Sequence, residues 1–218
     1  LERGNQVLIC GRRQDKLDAA SKQHPKLRAY RCDISKSEDR ARLLESFQRD
    51  GCIPNVLINN AAVMRTYDLT DTKGLNLEKV RSDLDTNFLS PVELINQLLP
   101  LLQAQSNPTI INVSTPLGHV PVANVPFYCA STAALHSYTK SLRLPLQGPV
   151  EVIEISPPSV DTDMMVTVSI HKVSVEAFHR EFLARFQKGG EEIWLGVGRN
   201  LRWLHRLLPT PPYQPVTT

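Results

Sequence analysis

The chain has 218 residues, of which 41% are hydrophobic and 22% charged, a balance that describes one globular domain rather than a disordered or fibrous chain. A net charge of +3, with basic residues scattered except near the end, gives no nucleic-acid footprint, and no apolar run reaches the ~18 residues of a membrane span. The four cysteines (Cys10, Cys32, Cys52, Cys129) form no CxxC pair and lie in or beside apolar runs, so reduced, buried thiols of a cytoplasmic protein are expected, with no disulfide and no metal site.

The elements follow in order. The first residues, Leu1 to Gly4, read as the end of a helix, with Gly4 as its stop. Residues 6–10 are a short continuous apolar run, the pattern of a parallel strand buried on both faces. Residues 15–23 predict a helix and 27–32 a second strand, closing on Asp33. Residues 37–50 predict a helix capped by Ser37, with Leu43, Leu44 and Phe47 on one side. A third strand, 56–58, runs into Asn59-Asn60-Ala61-Ala62. Residues 77–105 form a long helical segment with Pro91 as a kink point. Residues 109–113 predict a fourth strand, followed by Ser114, Thr115 and Gly118. Residues 127–143 predict a helix carrying Tyr128 in its first turn, and 150–155 a fifth strand ending at Ser156-Pro157-Pro158. Residues 160–187 are first irregular, then helical, with Phe178, Phe182 and Phe186 at helical spacing. A last strand at 192–195 and a short helix at 200–208 complete the chain, the latter with Arg199, Arg202, His205 and Arg206 opposite its leucines.

Strands alternating with helices predict an α/β doubly wound parallel sheet in one domain. Ligands of such sheets bind beyond the carboxyl ends of the strands. The polar punctuation falls at those ends: Arg12, Asp33, Asn59 and Asn60, Ser114 and Thr115, and residues 157–162. Tyr128, thirteen residues after Thr115, places a phenol beside an aliphatic hydroxyl. Such a phenol serves as general acid toward a carbonyl oxygen, or as base toward an alcohol, once its pKa is lowered. A locally packed tyrosine is the competing reading of these residues alone.

The whole pattern resembles the short-chain dehydrogenase/reductase family. Asn59-Asn60-Ala61-Ala62 is similar to that family's Asn-Asn-Ala-Gly strand end, and Asn87 in Asp85-Thr86-Asn87 to its asparagine on the long helix. Thr115, three residues before Gly118, falls where the catalytic serine stands, and Tyr128 matches the catalytic tyrosine. Residues 157–162 resemble the Pro-Gly-x-Val-x-Thr loop at the nicotinamide end. Cys10-Gly11-Arg12, the double proline and Glu191-Glu192-Ile193 resemble the branch containing oxidoreductases of bacterial D-alanine-esterification operons.

The resemblance implies a Rossmann-like fold and hydride transfer between a nicotinamide cofactor and a small carbonyl or alcohol. Tyr128 would be the acid/base. Thr115, with Ser114, would hold the substrate oxygen, and Asn87 would support the site through water. Arg12, Asp33, Ile34, Asn60, Ala61, Tyr128, Pro157, Val160 and Thr162 would contact the cofactor. Gly11 stands where NAD-preferring members carry an acid, and Arg12 follows, which favours NADP over NAD. Pairing of subunits into a homo-oligomer is a further family expectation. The loops 64–70 and 116–127 and a lid at 160–187 would shape the substrate pocket.

Two departures stand against this frame, besides threonine for serine at 115. Thr132 occupies the position of the family's lysine, four residues after Tyr128, and has neither charge nor reach. His136 and Lys140 lie roughly 12 and 18 Å from Tyr128 along the helix at ~1.5 Å per residue. A non-catalytic nucleotide-binding or oligomer-forming protein is therefore the rival expectation. The Gly-rich phosphate turn is also missing from these 218 residues. The strand that precedes that turn would lie between the 6–10 and 56–58 strands, so a gap is expected there and the sequence is expected to be an incomplete record of a longer protein, weak in cofactor binding and stability.

Overall fold

The computed structural model describes residues 4–71, 74–165, 172–196 and 198–199. Its elements run β1 (Leu8–Gly11), α1 (Gln14–Gln23), β2 (Arg28–Arg31), α2 (Ser37–Arg49), β3 (Val56–Asn59), α3 (Leu77–Leu84), α4 (Ser90–Gln103), β4 (Thr109–Val113), α5 (Pro126–Leu146), β5 (Glu151–Ser156), α6 (Val175–Phe186) and β6 (Glu192–Trp194). All ladders are parallel. β3, β4, β5 and β6 form one four-stranded sheet in that order, and β1 pairs with β2 in a separate two-stranded sheet. Among the described residues no ladder joins β1 to β3, so the expected gap is present. Val56 and Ile58 on β3 are correspondingly exposed, Ile58 at 55%. The expected helix at 200–208 lies outside the described residues, as does part of the expected lid.

The two faces of the larger sheet differ. Ile111, Ile153, Ile155 and Ile193 build an apolar cluster on one face, with Phe178 and Phe182 of α6 packed against it. Phe186, the third of that stripe, is exposed. The opposite face changes character along the strands. At its start Leu57, Ile110 and Val152 pack with Leu94, Leu98 and Leu102 of α4 and with Leu146 of α5. Two residues on, at the same face by strand alternation, the positions become Asn59, Asn112 and Glu154, and then Ser114 and Ser156. All five are buried. Asn59 Nδ2 donates to Asn112 Oδ1 (2.8 Å), and Asn112 Nδ2 donates to Thr139 Oγ1 of α5 (2.9 Å). These bonds satisfy side chains that would otherwise be costly to bury and pin α5 across the strand ends.

The long helical segment is interrupted where Pro91 predicts it. Pro91 has no N–H to offer the carbonyl four residues earlier. The turn Asp85–Leu89 widens to a π-type turn, and Asp85 O accepts from both the backbone N–H and the hydroxyl of Ser90. Three expectations are corrected. The cap of α2 is Lys36, with Ser37 the first helical residue and no side-chain capping bond. Cys10 is exposed, while Cys32, Cys52 and Cys129 are buried. The two-sided burial assumed for the first strand is not met, because β1 has β2 alone beside it.

Candidate active site

The site is assembled where β4 ends and α5 begins. Thr115 is extended and caps the short 3-10 turn Pro116–Gly118, its Oγ1 accepting from Leu117 N (3.4 Å). Gly118 then lies against the backbone of α5: a Cβ there would come within 3.1 Å of Thr132 C and Ala133 N. This close approach is why a glycine is needed at 118, and it seats Thr115 over the first turn of the helix. The Thr115 hydroxyl lies on the side of the Tyr128 phenol, near enough to favour its charged form.

Burial pushes the Tyr128 phenol up to about 12, and charge on Cys129 adds to this, while the Thr115 hydroxyl works the other way. An unassisted phenol is thus held protonated. Thr132 does not relieve it. Its hydroxyl turns back to its own helix, donating to Tyr128 O (2.7 Å) and Cys129 O (3.1 Å), and the side chain is buried.

Ser114 parts company with Thr115. Its Oγ donates to Glu154 Oε1 at 2.6 Å, beneath α5. Adjacent strand residues face opposite ways, so only one of the two hydroxyls meets Tyr128. Ser114 was expected to share the substrate oxygen; here its hydroxyl is engaged by Glu154.

Asn87 sits in the widened turn, almost fully buried. Its Oδ1 accepts from Val63 N (2.8 Å), and its Nδ2 donates to Val63 O (2.9 Å) and to Ser131 Oγ (3.1 Å). It therefore clamps the segment after β3 to the long helix and to α5. Asp83, one turn earlier, holds the same segment through Arg65 and the Tyr67 hydroxyl (2.6 Å).

The expected cofactor residues line successive strand ends. Arg12 follows β1 and is exposed, and Arg13 beside it pairs with Asp163 at 3.3 Å. Asp33 follows β2. Its burial raises the carboxyl pKa, but bonds from the Ser35 hydroxyl (2.7 Å) and N–H (3.1 Å) and the charges of Arg12 and Lys36 outweigh this and lower it. Asp33 thus closes its own turn with one oxygen. Ile34 packs against the main core. Asn60 and Ala61 are exposed beyond β3. Pro157 and Val160 are half-buried beyond β5, with Thr162 exposed. An isolated bridge from Val160 to Val173 ties the start of this loop to its return.

A cavity of about 870 Å³ borders the site on the other side of α5. Tyr67, Leu69, Leu117, Val122, Cys129 and Ala133 are among its lining, so two of the three expected substrate segments meet there. Tyr128 and Thr115 are not part of that lining.

Comparison with known proteins gives one consistent family. A family model described as short chain dehydrogenase matches residues 1–172. The chain is 35% identical over 201 residues to the uncharacterized oxidoreductase DltE of Bacillus subtilis, covering 88% of this chain and 79% of that protein. That relative meets the branch resemblance read from Cys10, Gly11 and Arg12. A short chain dehydrogenase from Burkholderia cenocepacia, solved in complex with NADP, superposes with a TM-score of 0.79 at 26% identity, covering 96% of this chain and 89% of that one. A 3-ketoacyl-(acyl-carrier-protein) reductase from Brucella melitensis shares the fold, with a TM-score of 0.79 at 19% identity over 91% of this chain and 89% of that one.

Proposed function

The chain belongs to the short chain dehydrogenase family of oxidoreductases, and on that footing we propose that it transfers hydride between NADP(H) and a small carbonyl or alcohol at the Tyr128–Thr115 pair. The observation that carries this reading is the placement of Tyr128, at the start of α5, beside Thr115 at the end of β4, where the parallel sheet stops. In carbonyl reduction Tyr128 gives its proton to the carbonyl oxygen as hydride arrives, and Thr115 holds that oxygen in place. In the reverse direction the phenolate takes the alcohol proton. A nicotinamide cofactor, when bound along the strand ends, would supply or accept the hydride. Asn87 keeps the Val63 segment, and with it the floor of the site, at a fixed distance from α5.

For the cofactor, we infer NADP. Arg12 stands exposed at the end of β1 with no acid beside it at Gly11. A guanidinium there accepts a 2′-phosphate bidentately, and a carboxylate would repel it. The Burkholderia structure with NADP bound supports the same choice. Asp33, Ile34, Asn60, Ala61, Pro157, Val160 and Thr162 would then follow the cofactor along the strand ends.

A second reading is favoured by one observation. Thr132 offers no charge to a tyrosine held at about 12. A member that binds nucleotide without turnover would have this arrangement. The two separate in one assay: NADPH consumption with a panel of aliphatic and aromatic aldehydes and ketones, in the parent and in Tyr128→Phe. Consumption that falls by about 10²-fold or more in Tyr128→Phe is the expected result. Consumption that Tyr128→Phe leaves unchanged overturns the assignment of Tyr128. NADPH binding without turnover across the panel selects the second reading.

A further inference from the structure

Behind Thr115, on the polar half of the sheet, four side chains from four parts of the chain converge. Glu154 of β5 is 3% exposed, a rare degree of burial for a carboxylate. Its Oε2 lies 2.7 Å from His136 Nδ1 of α5, and its Oε1 accepts from Ser114 Oγ at 2.6 Å. His119, in the turn that follows Gly118, faces the His136 ring at 4.2 Å between centroids and Trp194 at 4.7 Å. One donor atom from each of His119, His136 and Glu154 falls within 4.8 Å of the other two. The same strand face carries one unsatisfied hydroxyl. Ser156, two residues beyond Glu154 on the same strand face, is 2% exposed and its hydroxyl has no hydrogen-bond partner.

We propose that His119, His136 and Glu154 hold a divalent transition-metal ion of the zinc class. Two imidazoles and one carboxylate are a donor set that suits zinc and disfavours magnesium or calcium, which prefer oxygen ligands alone. Donors around zinc at ~2.0–2.1 Å stand about 3.4 Å apart in a tetrahedron. The His136–Glu154 pair would open by less than an ångström, and the widest separation, up to 4.8 Å, would close by up to ~1.4 Å through rotation of the His119 side chain on its loop. Ser114 supports the site from outside by orienting the carboxylate, the usual arrangement for a metal-bound acid. A water would complete the coordination of such an ion. The ion would tie the turn after Thr115 to both α5 and β5. This inference is independent of the hydride-transfer reading.

The test uses the 218-residue chain, stripped with chelator and titrated with Co²⁺ as the probe. The expected result is a visible d–d absorption that saturates at one equivalent, is displaced by Zn²⁺ and is indifferent to Mg²⁺. His119→Gln and His136→Gln each remove the band, and Ser114→Ala weakens cobalt binding by about 10- to 100-fold. His119 is only partly buried, so its variant keeps the test open if changes at buried Glu154 prevent folding. No band in the parent, a band that survives both histidine changes, or a near-ultraviolet thiolate-to-cobalt transition would each overturn the proposal. The first outcome would leave His136 and Glu154 as a closed pair, and the others would place the ion elsewhere.

Discussion

Thr132→Lys tests the electrostatics of Tyr128 directly. In the parent the phenol titrates at about 12, so at pH 8 only about 10⁻⁴ of it is phenolate. An ammonium group within ~4–6 Å favours the charged form by 1–3 pKa units. The Tyr128 inflection should then fall to about 9–11, and the phenolate fraction at pH 8 rise about 10- to 1000-fold. The position is buried, and Gly118 lies on its backbone, so the lysine stem has to run along α5 toward the hydroxyl pair. Removing the threonine hydroxyl costs little, since its acceptors are backbone carbonyls of the same helix. The assay is an ultraviolet difference titration against Tyr128→Phe, which subtracts the other four of the five tyrosines. Thr132→Met supplies the stem without the charge. An inflection that does not move in Thr132→Lys, or that moves equally in Thr132→Met, refutes the claim that a charge at 132 offsets the burial that holds the phenol protonated.

Three further outcomes are expected. Arg12→Ala should weaken NADPH binding, read by quenching or enhancement of its fluorescence, by about 10- to 100-fold, the worth of a charge-assisted bond of ~1.5–3 kcal/mol, and leave NADH unaffected. Asn87→Ala leaves the N–H and C=O of Val63 without their present partners, and should cost about 2–4 kcal/mol in denaturant unfolding. Tyr128 keeps its proton up to about 12 when folded but loses it near 10 when unfolded. The unfolded chain binds fewer protons in that window, so stability falls as pH rises through it, and Tyr128→Phe should flatten this alkaline fall in a thermal-unfolding series.

The alternation of apolar runs and helical periods carried the fold, because parallel strands and their crossovers each leave a local period in the sequence. Pro91 likewise announced its own disturbance, although a kink was expected and a widened turn closed by Ser90 was found. The polar strand ends were legible for the same reason: buried strands have polar residues only where the sheet stops. What escaped were relations between elements. That Ser114 turns to Glu154 while Thr115 turns to Tyr128 depends on strand alternation at a boundary only the register fixes. His119, His136 and Glu154 are separated by 17 and 18 residues and lie on a turn, a helix and a strand, so no spacing rule brings them together. Burial of the first strand was inferred from its apolar letters, but Cys10 is exposed because burial is decided by neighbours.

The interruption between β1 and β3 has a consequence for how the chain behaves in company. Among the described residues, each of these strands has no ladder on the side away from its partner, and Val56 and Ile58 of β3 are exposed. Extended segments of other chains find both hydrogen-bonding partners and apolar cover on such an edge. Concentration should therefore drive self-association by strand addition, and a peptide able to enter as a parallel strand should suppress it.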